Sequence, residues 1–162
     1  DPKQEVANLM NDPDASTAVP TISAHIVVRD AARAVGWYAE VFGAREENRL
    51  AVPDGRLMQA ALRFGDSAVM LADEFPEMDV LSPLSIGGTA TVLHFACNDA
   101  NAVWQRALAG GAEVRQPLQE AFWGELYGQI TDPFGHRWGI AQWVRQVPRE
   151  ELERAVADAF SS

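Results

Sequence analysis

The feature that most constrains this chain is an internal repeat. His25-Ile-Val-Val-Arg-Asp30, then Ala34-Val35 and Phe42-Gly43-Ala44, is matched by His94-Phe-Ala-Cys-Asn-Asp99, then Ala102-Val103 and Gly110-Gly111-Ala112. The offset is 69 residues at the histidines and 68 after the aspartates, so the second helix is one residue shorter. Further on, Gly55-Arg-Leu-Met-Gln59 lies against Gly124-Glu-Leu-Tyr-Gly128 at 69, and Phe64-Gly65 against Phe134-Gly135 at 70. Self-similarity at a fixed period means that each copy is one supersecondary unit whose apolar face needs a neighbour. A duplicated unit places its pocket between the copies, so His25 and His94, matched by the repeat, are the first residues to consider for chemistry.

Within each copy the local signals agree. Residues 22–29 are rich in β-branched side chains and read as a strand, with Asp30 as the cap of a following helix. Ala34, Trp37, Tyr38 and Val41 recur at helical spacing, and Gly43 stands where a helix ends. Strands are expected at 44–52, 56–64 and 67–72, with Val52-Pro-Asp-Gly55 as a turn. The second copy repeats the order: strand 91–98, helix to 109, strands 112–118, 125–131 and 137–144. The expected organisation is an arm over 1–21 with a short helical turn at 6–10, a first βαβββ module over 22–73, a linker over 74–90, a second module over 91–144 and a C-terminal helix over 145–162. The fold class is α+β: two tandem modules forming a cupped mixed β-sheet with helices on the outside. A four-stranded sheet with one helix leaves a face open. Whether that face closes on the other module or on a second subunit stays open.

Composition narrows the partners. A formal net charge of −10 argues against nonspecific binding to nucleic acid or anionic membrane. No apolar run approaches the 18 or so residues of a membrane span. With one cysteine, Cys97, a disulfide framework is ruled out and a cytoplasmic setting is expected. Cys97 itself reads as a small buried hydrophobe.

Taken together, the pieces His25-Ile-Val-Val-Arg-Asp30, Trp37-Tyr38 with Phe42-Gly43-Ala44, and Asp132-Pro-Phe-Gly135-His136-Arg137-Trp138 resemble the vicinal oxygen chelate superfamily over residues 22–144. That superfamily includes glyoxalase I, bleomycin-resistance proteins and extradiol dioxygenases. Pro53-Asp-Gly-Arg-Leu-Met58, Leu71-Ala-Asp-Glu74, Ser82-Pro83 with Gly87-Gly88, and Phe122-Trp-Gly124 resemble its PhnB-like group. In metal-dependent members, the first and last strands of each module supply two His and two Glu to one divalent ion. The resemblance assigns His25 and His94 to the first-strand positions, but it puts Gly139 and a residue near Leu71 at the carboxylate positions. Neither ligates through a side chain. Asp73, Glu125 and Gln59 are the nearby substitutes. The expectation is therefore no metal, with His25 and His94 as the ligands of any Zn, Ni, Mn or Fe that binds.

The stretch Glu120-Ala-Phe-Trp-Gly-Glu125 is a loop leading into a strand, and aromatic side chains there can stack on a planar ligand. His25, Gln59, His94, Trp123, Glu125 and Tyr127 are the expected ligand-binding residues. Matching by the repeat sets Tyr127 against Met58 and Gly128 against Gln59, so the two halves present unlike surfaces. His136 reads as a strand-edge residue. The resemblance implies a homodimer that binds a small hydrophobic or aromatic molecule between modules, sequestering a drug or metabolite. A metal-dependent lyase, isomerase or dioxygenase is the alternative, and a metal-free enzyme with His25 or Glu125 as general base is a third. Whether the protein is an enzyme stays open at this stage.

Overall fold

The structure is a computed structural model that describes residues 20–161. The expected arm and its helical turn at 6–10 lie outside the described residues. The first module runs β1 (Ala24–Val28), α1 (Ala31–Phe42), β2 (Arg45–Ala51), β3 (Leu57–Phe64) and β4 (Ser67–Asp73). A connection follows with a 3₁₀ turn (Pro76–Met78) and one helical turn, α2 (Pro83–Ile86). The second module runs β5 (Val92–Ala96), α3 (Ala100–Ala109), β6 (Glu113–Glu120), β7 (Glu125–Thr131) and β8 (Arg137–Trp143), and α4 (Arg149–Phe160) ends the chain. The sheets have the orders β1-β4-β3-β2 and β5-β8-β7-β6, each with its first and last strands paired in parallel and the rest antiparallel. These are two tandem βαβββ modules, α+β, as the repeat requires. Among the described residues no helix is long and apolar enough to cross a membrane.

Both helices start by the same device. Asp30 accepts from the Arg33 amide at 3.2 Å, and Asp99 accepts from the Ala102 amide at 3.1 Å. Each leaves its first helical amide to a side chain on the module's last strand. Asp73 Oδ1 accepts from the Ala31 amide at 2.9 Å, and Gln142 Oε1 accepts from the Ala100 amide at 2.9 Å. These bonds satisfy amides that the helix itself cannot. Gly43 ends α1 at φ 71°, a left-handed backbone that a Cβ would strain.

The modules meet through their helix-bearing faces. Phe42 on α1 packs 4.3 Å from the Trp138 ring and 4.7 Å from Phe95, both on the second sheet's inner face. The Trp37 indole donates to the Gly110 carbonyl at 2.9 Å, and Arg106 on α3 donates to the Val41 carbonyl at 3.0 Å. The Tyr38 hydroxyl, fully buried, donates to Asp132 at 2.5 Å. Asp132 also accepts from the Trp138 indole and from the amides of Phe134 and His136. Burial, then the adjacent Asp132 carboxylate, push the Tyr38 phenol well above its usual range. His136 is buried, with Nε2 2.7 Å from the Val27 carbonyl of β1. Within one chain, therefore, each helix lies outside the open face of its own sheet, and both open faces turn away from the shared core.

Candidate functional site

The side chains on the open faces follow from strand alternation. On β5 and β8, Leu93, Phe95, Trp138 and Ile140 belong to the core, so His94, Arg137, Gly139 and Ala141 take the other face. On β7, Gly128 and Ile130 are buried, so Glu125, Tyr127, Gln129 and Thr131 share the face with His94. The register sets His94, Gly139 and Gln129 in one row and Ala96, Ala141 and Tyr127 in the next.

A connected group results. The Trp123 indole donates to Glu125 Oε1 at 2.7 Å, and Glu125 Oε2 stands 3.6 Å from His94 Nε2. His94 stacks on Tyr127 with ring centroids 5.9 Å apart and planes 19° apart. Trp123 meets Tyr127 edge-on at 5.4 Å, with Phe122 beyond it. Gln129 Nε2 donates to the Tyr127 hydroxyl at 2.8 Å. Trp143, 63% exposed, is the register partner of Glu125. Four of the six expected residues, His94, Trp123, Glu125 and Tyr127, thus come together on one sheet face. Trp143 and Gln129 join them, although sequence reasoning left both out. Alternation along β7 and β8 was the signal available for them.

The other two lie elsewhere. His25 and Gln59 occupy the open face of the first sheet. His25 pairs in register with Met70, and Gln59 Nε2 reaches the Met70 sulfur at 3.5 Å. No hydrogen bond, ion pair or ring contact links them to the group around His94. His25 instead lines a cavity of about 350 Å³ between the edges of β1 and β5, with Val27, Ile86, Leu93 and His136. A second cavity, about 340 Å³, lies between Gly87-Gly88 and the Arg115–Thr131 side of the second sheet.

The structure corrects three residue assignments. The register pairs His25 with Met70 as it pairs His94 with Gly139, so the counterpart of Gly139 is Met70, and Leu71 is fully buried in the core. Ala61 opposite Met70 answers to Gln129 opposite Gly139, so two residues back along each strand Gln59 rather than Met58 answers to Tyr127. The turn after β7 is the cause. Asp132 bonds His136 across three residues, whereas Phe64 pairs with Ser67 across two, and a shift of one residue moves a side chain to the opposite face. Finally, Asp73 is no substitute ligand. Its two oxygens are taken by the amides of Ala31 and Leu57 on the inner face, 7% exposed.

These contacts decide how the residues suit the divalent ion that the resemblance implies. A Cβ on Gly139 would lie 2.8 Å from the Tyr127 hydroxyl. The phenol thus fills the space that a carboxylate at this position would need. Among the described residues no three His, Cys, Asp or Glu side chains converge as ligands. The donor set of this face does not fit a hard catalytic ion. Cys97 is no thiolate nucleophile either. It donates to the Ala141 carbonyl at 3.4 Å, and desolvation raises its pKa.

Comparison with known proteins agrees with the fold. The chain is 43% identical over 141 residues to the uncharacterized protein Rv0887c of Mycobacterium tuberculosis, covering 85% of this chain and 83% of that one. Among solved structures it is similar to TioX from Micromonospora sp. ML1, with 25% identity, TM-score 0.58, and 80% of this chain and 100% of the other covered. It shares its fold with the PhnB protein from Bacillus cereus, at 15% identity and TM-score 0.60, with 78% and 100% covered. Residues 19–140 match the family model of the glyoxalase/bleomycin resistance protein/dioxygenase superfamily, and the chain belongs to that superfamily.

Proposed function

We propose that the protein binds a small hydrophobic or aromatic molecule on the open face of the second sheet and holds it without turnover. The observation that carries this reading is the aromatic and polar group of Trp123, Glu125, His94 and Tyr127, which sits together on the second sheet's open face. Flat rings beside a few fixed polar atoms are what a planar ligand needs. The first sheet's open face carries His25, Gln59 and Met70. In a homodimer it would close over the second sheet of the other copy, and that brings His25 and Gln59 back to the site. The family's sequestering, drug-resistance members support the same reading.

A second reading rests on the 3.6 Å approach of His94 to Glu125. An imidazole beside a carboxylate can move a proton, so metal-free acid–base chemistry is the alternative. Tryptophan fluorescence separates the two. Trp37, Trp104 and Trp138 are buried, so ligand quenching reports on Trp123 and Trp143. Saturable quenching by one aromatic compound per chain is expected, unchanged by chelator and at least about tenfold weaker in Trp123→Ala. Conversion of the bound compound would favour the second reading. No saturable quenching across a broad aromatic panel would overturn the first.

A further inference from the structure

We propose that Arg137 recognises an anion on the second sheet's open face, so that the ligand there is an aromatic carboxylate. This rests on the binding reading above and narrows its ligand class.

Along β8 the open face runs Arg137, Gly139, Ala141, Trp143. The two middle residues add almost no bulk, and with the Tyr127 ring lying over Gly139 and Ala141 fully buried they form a narrow strip. His94 and Ala96 flank it on one side, Tyr127 and Gln129 on the other. At about 3.3 Å per residue the ends are roughly 20 Å apart. The Trp143 end holds the exposed indole with Glu125 and Trp123. The other end holds Arg137.

Arg137 Nε is the only buried side-chain nitrogen or oxygen without a hydrogen-bond partner among the described residues. A guanidinium is permanently charged and has five donors, so an enclosed donor without an acceptor is a cost that a native chain rarely keeps for nothing. Carboxylates are not scarce here, since acidic residues number 23 against 13 basic ones. The nearest in register is Glu113, and it stands 3.7 Å from Arg115, whose Nε donates to Thr131 at 2.7 Å. The neighbouring arginine is thus satisfied within the protein, and Arg137 is not. The Tyr127 hydroxyl, which accepts from Gln129, keeps its own hydrogen for a ligand. Arg137 is thus the unpaired donor at one end of the strip, the Tyr127 hydroxyl lies over Gly139 midway along it, and the one carboxylate of the group, Glu125, lies toward the Trp143 end. That polarity orients a ligand with its acidic group at Arg137 and its ring toward Trp123 and Trp143. A carboxylate matches the planar fork of a guanidinium in two parallel bonds.

The test uses 2-naphthoate and 2-naphthamide, which share size and ring but differ in charge, titrated by calorimetry into the full chain and into Arg137→Met and Arg137→Lys. The intact protein is expected to prefer the acid by at least about tenfold, the size of one charge-assisted pair. The ratio should fall to about one in Arg137→Met and stay above one in Arg137→Lys, which keeps the charge. Equal binding of acid and amide by the intact protein overturns the anion assignment and leaves the aromatic site standing. So does a preference that survives in Arg137→Met, with circular dichroism showing that variant folded. Binding of neither probe overturns this inference, while the aromatic reading stands or falls by the broad panel above.

Discussion

On the first sheet's open face His25 lies beside Met70, and Gln59 reaches the same sulfur. On the second sheet's open face His94 lies beside Gly139, and Tyr127 occupies the space above it. The backbone rows are the same, yet the first face sets a thioether beside its histidine, with an Arg63–Glu47 pair farther along, and the second sets an aromatic, hydrogen-bonded group there. The helix starts differ far less. Asp30 and Asp99 cap alike, and Ala31 and Ala100 are both fully buried. The duplication keeps its likeness where the backbone must close its own hydrogen bonds, and diverges where side chains face outward. A ligand held between two such unlike faces would be unsymmetrical.

Substitutions at three places sharpen or break this comparison. The largest effect belongs to the residue that joins the modules. Asp132→Ala strips acceptors from the Tyr38 hydroxyl, the Trp138 indole and two amides, all enclosed. We expect a loss of about 4 kcal/mol, read as a lower urea midpoint. A loss under about 1 kcal/mol would show that the modules do not depend on this tie.

Next comes the pair of helix supports. Asp73 holds two amides, at 2.9 and 2.7 Å, and Gln142 holds one, at 2.9 Å. Asp73→Ala should cost about 2–3 kcal/mol and Gln142→Ala about 1 kcal/mol. Equal costs from thermal unfolding would mean that the second Asp73 bond adds nothing. The smallest effect on stability falls on the site. Gly139→Ala sets a methyl against the Tyr127 hydroxyl. It should cost about 1 kcal/mol in stability while weakening aromatic ligands roughly tenfold, a difference of about 1.4 kcal/mol. The counterpart position already carries a long side chain, Met70, so Met70→Ala makes room instead of removing it. Unchanged ligand affinity in Gly139→Ala would show that the phenol's position over Gly139 is incidental.

Much of this architecture was legible before any coordinates. The helices announce themselves by Asp caps ahead of a 3.6-residue apolar pattern, and the strands by β-branched runs between turns. The expected strand at 125–131 and the observed β7 have the same ends. The site was legible only in part. Trp123 and Glu125 stand out because a loop aromatic next to an acidic residue is conspicuous in sequence. Trp143 and Gln129 are hidden, because they join the group only through the pairing of β7 with β8. The corrections at Leu71 and Met58 have one origin, since the turn after β7 is one residue longer than its counterpart and nothing in the residue types there marks the difference. Asp73 misleads for another reason. A carboxylate at the end of a strand can ligate or cap, and only the face on which it lies distinguishes the two. Arg137 gives no signal at all, because its distinction is the absence of a partner.

One contact between the modules has a consequence for solubility. β1 and β5 are both outermost strands, and an unpaired strand rim is a template on which further chains can add. His136 reaches over from the second module and occupies the Val27 carbonyl at 2.7 Å. A strand arriving at β1 would find that acceptor already taken by a buried imidazole that cannot move aside without opening the junction. The same contact that fastens one half to the other therefore removes one acceptor from the edge on which a further strand could pair.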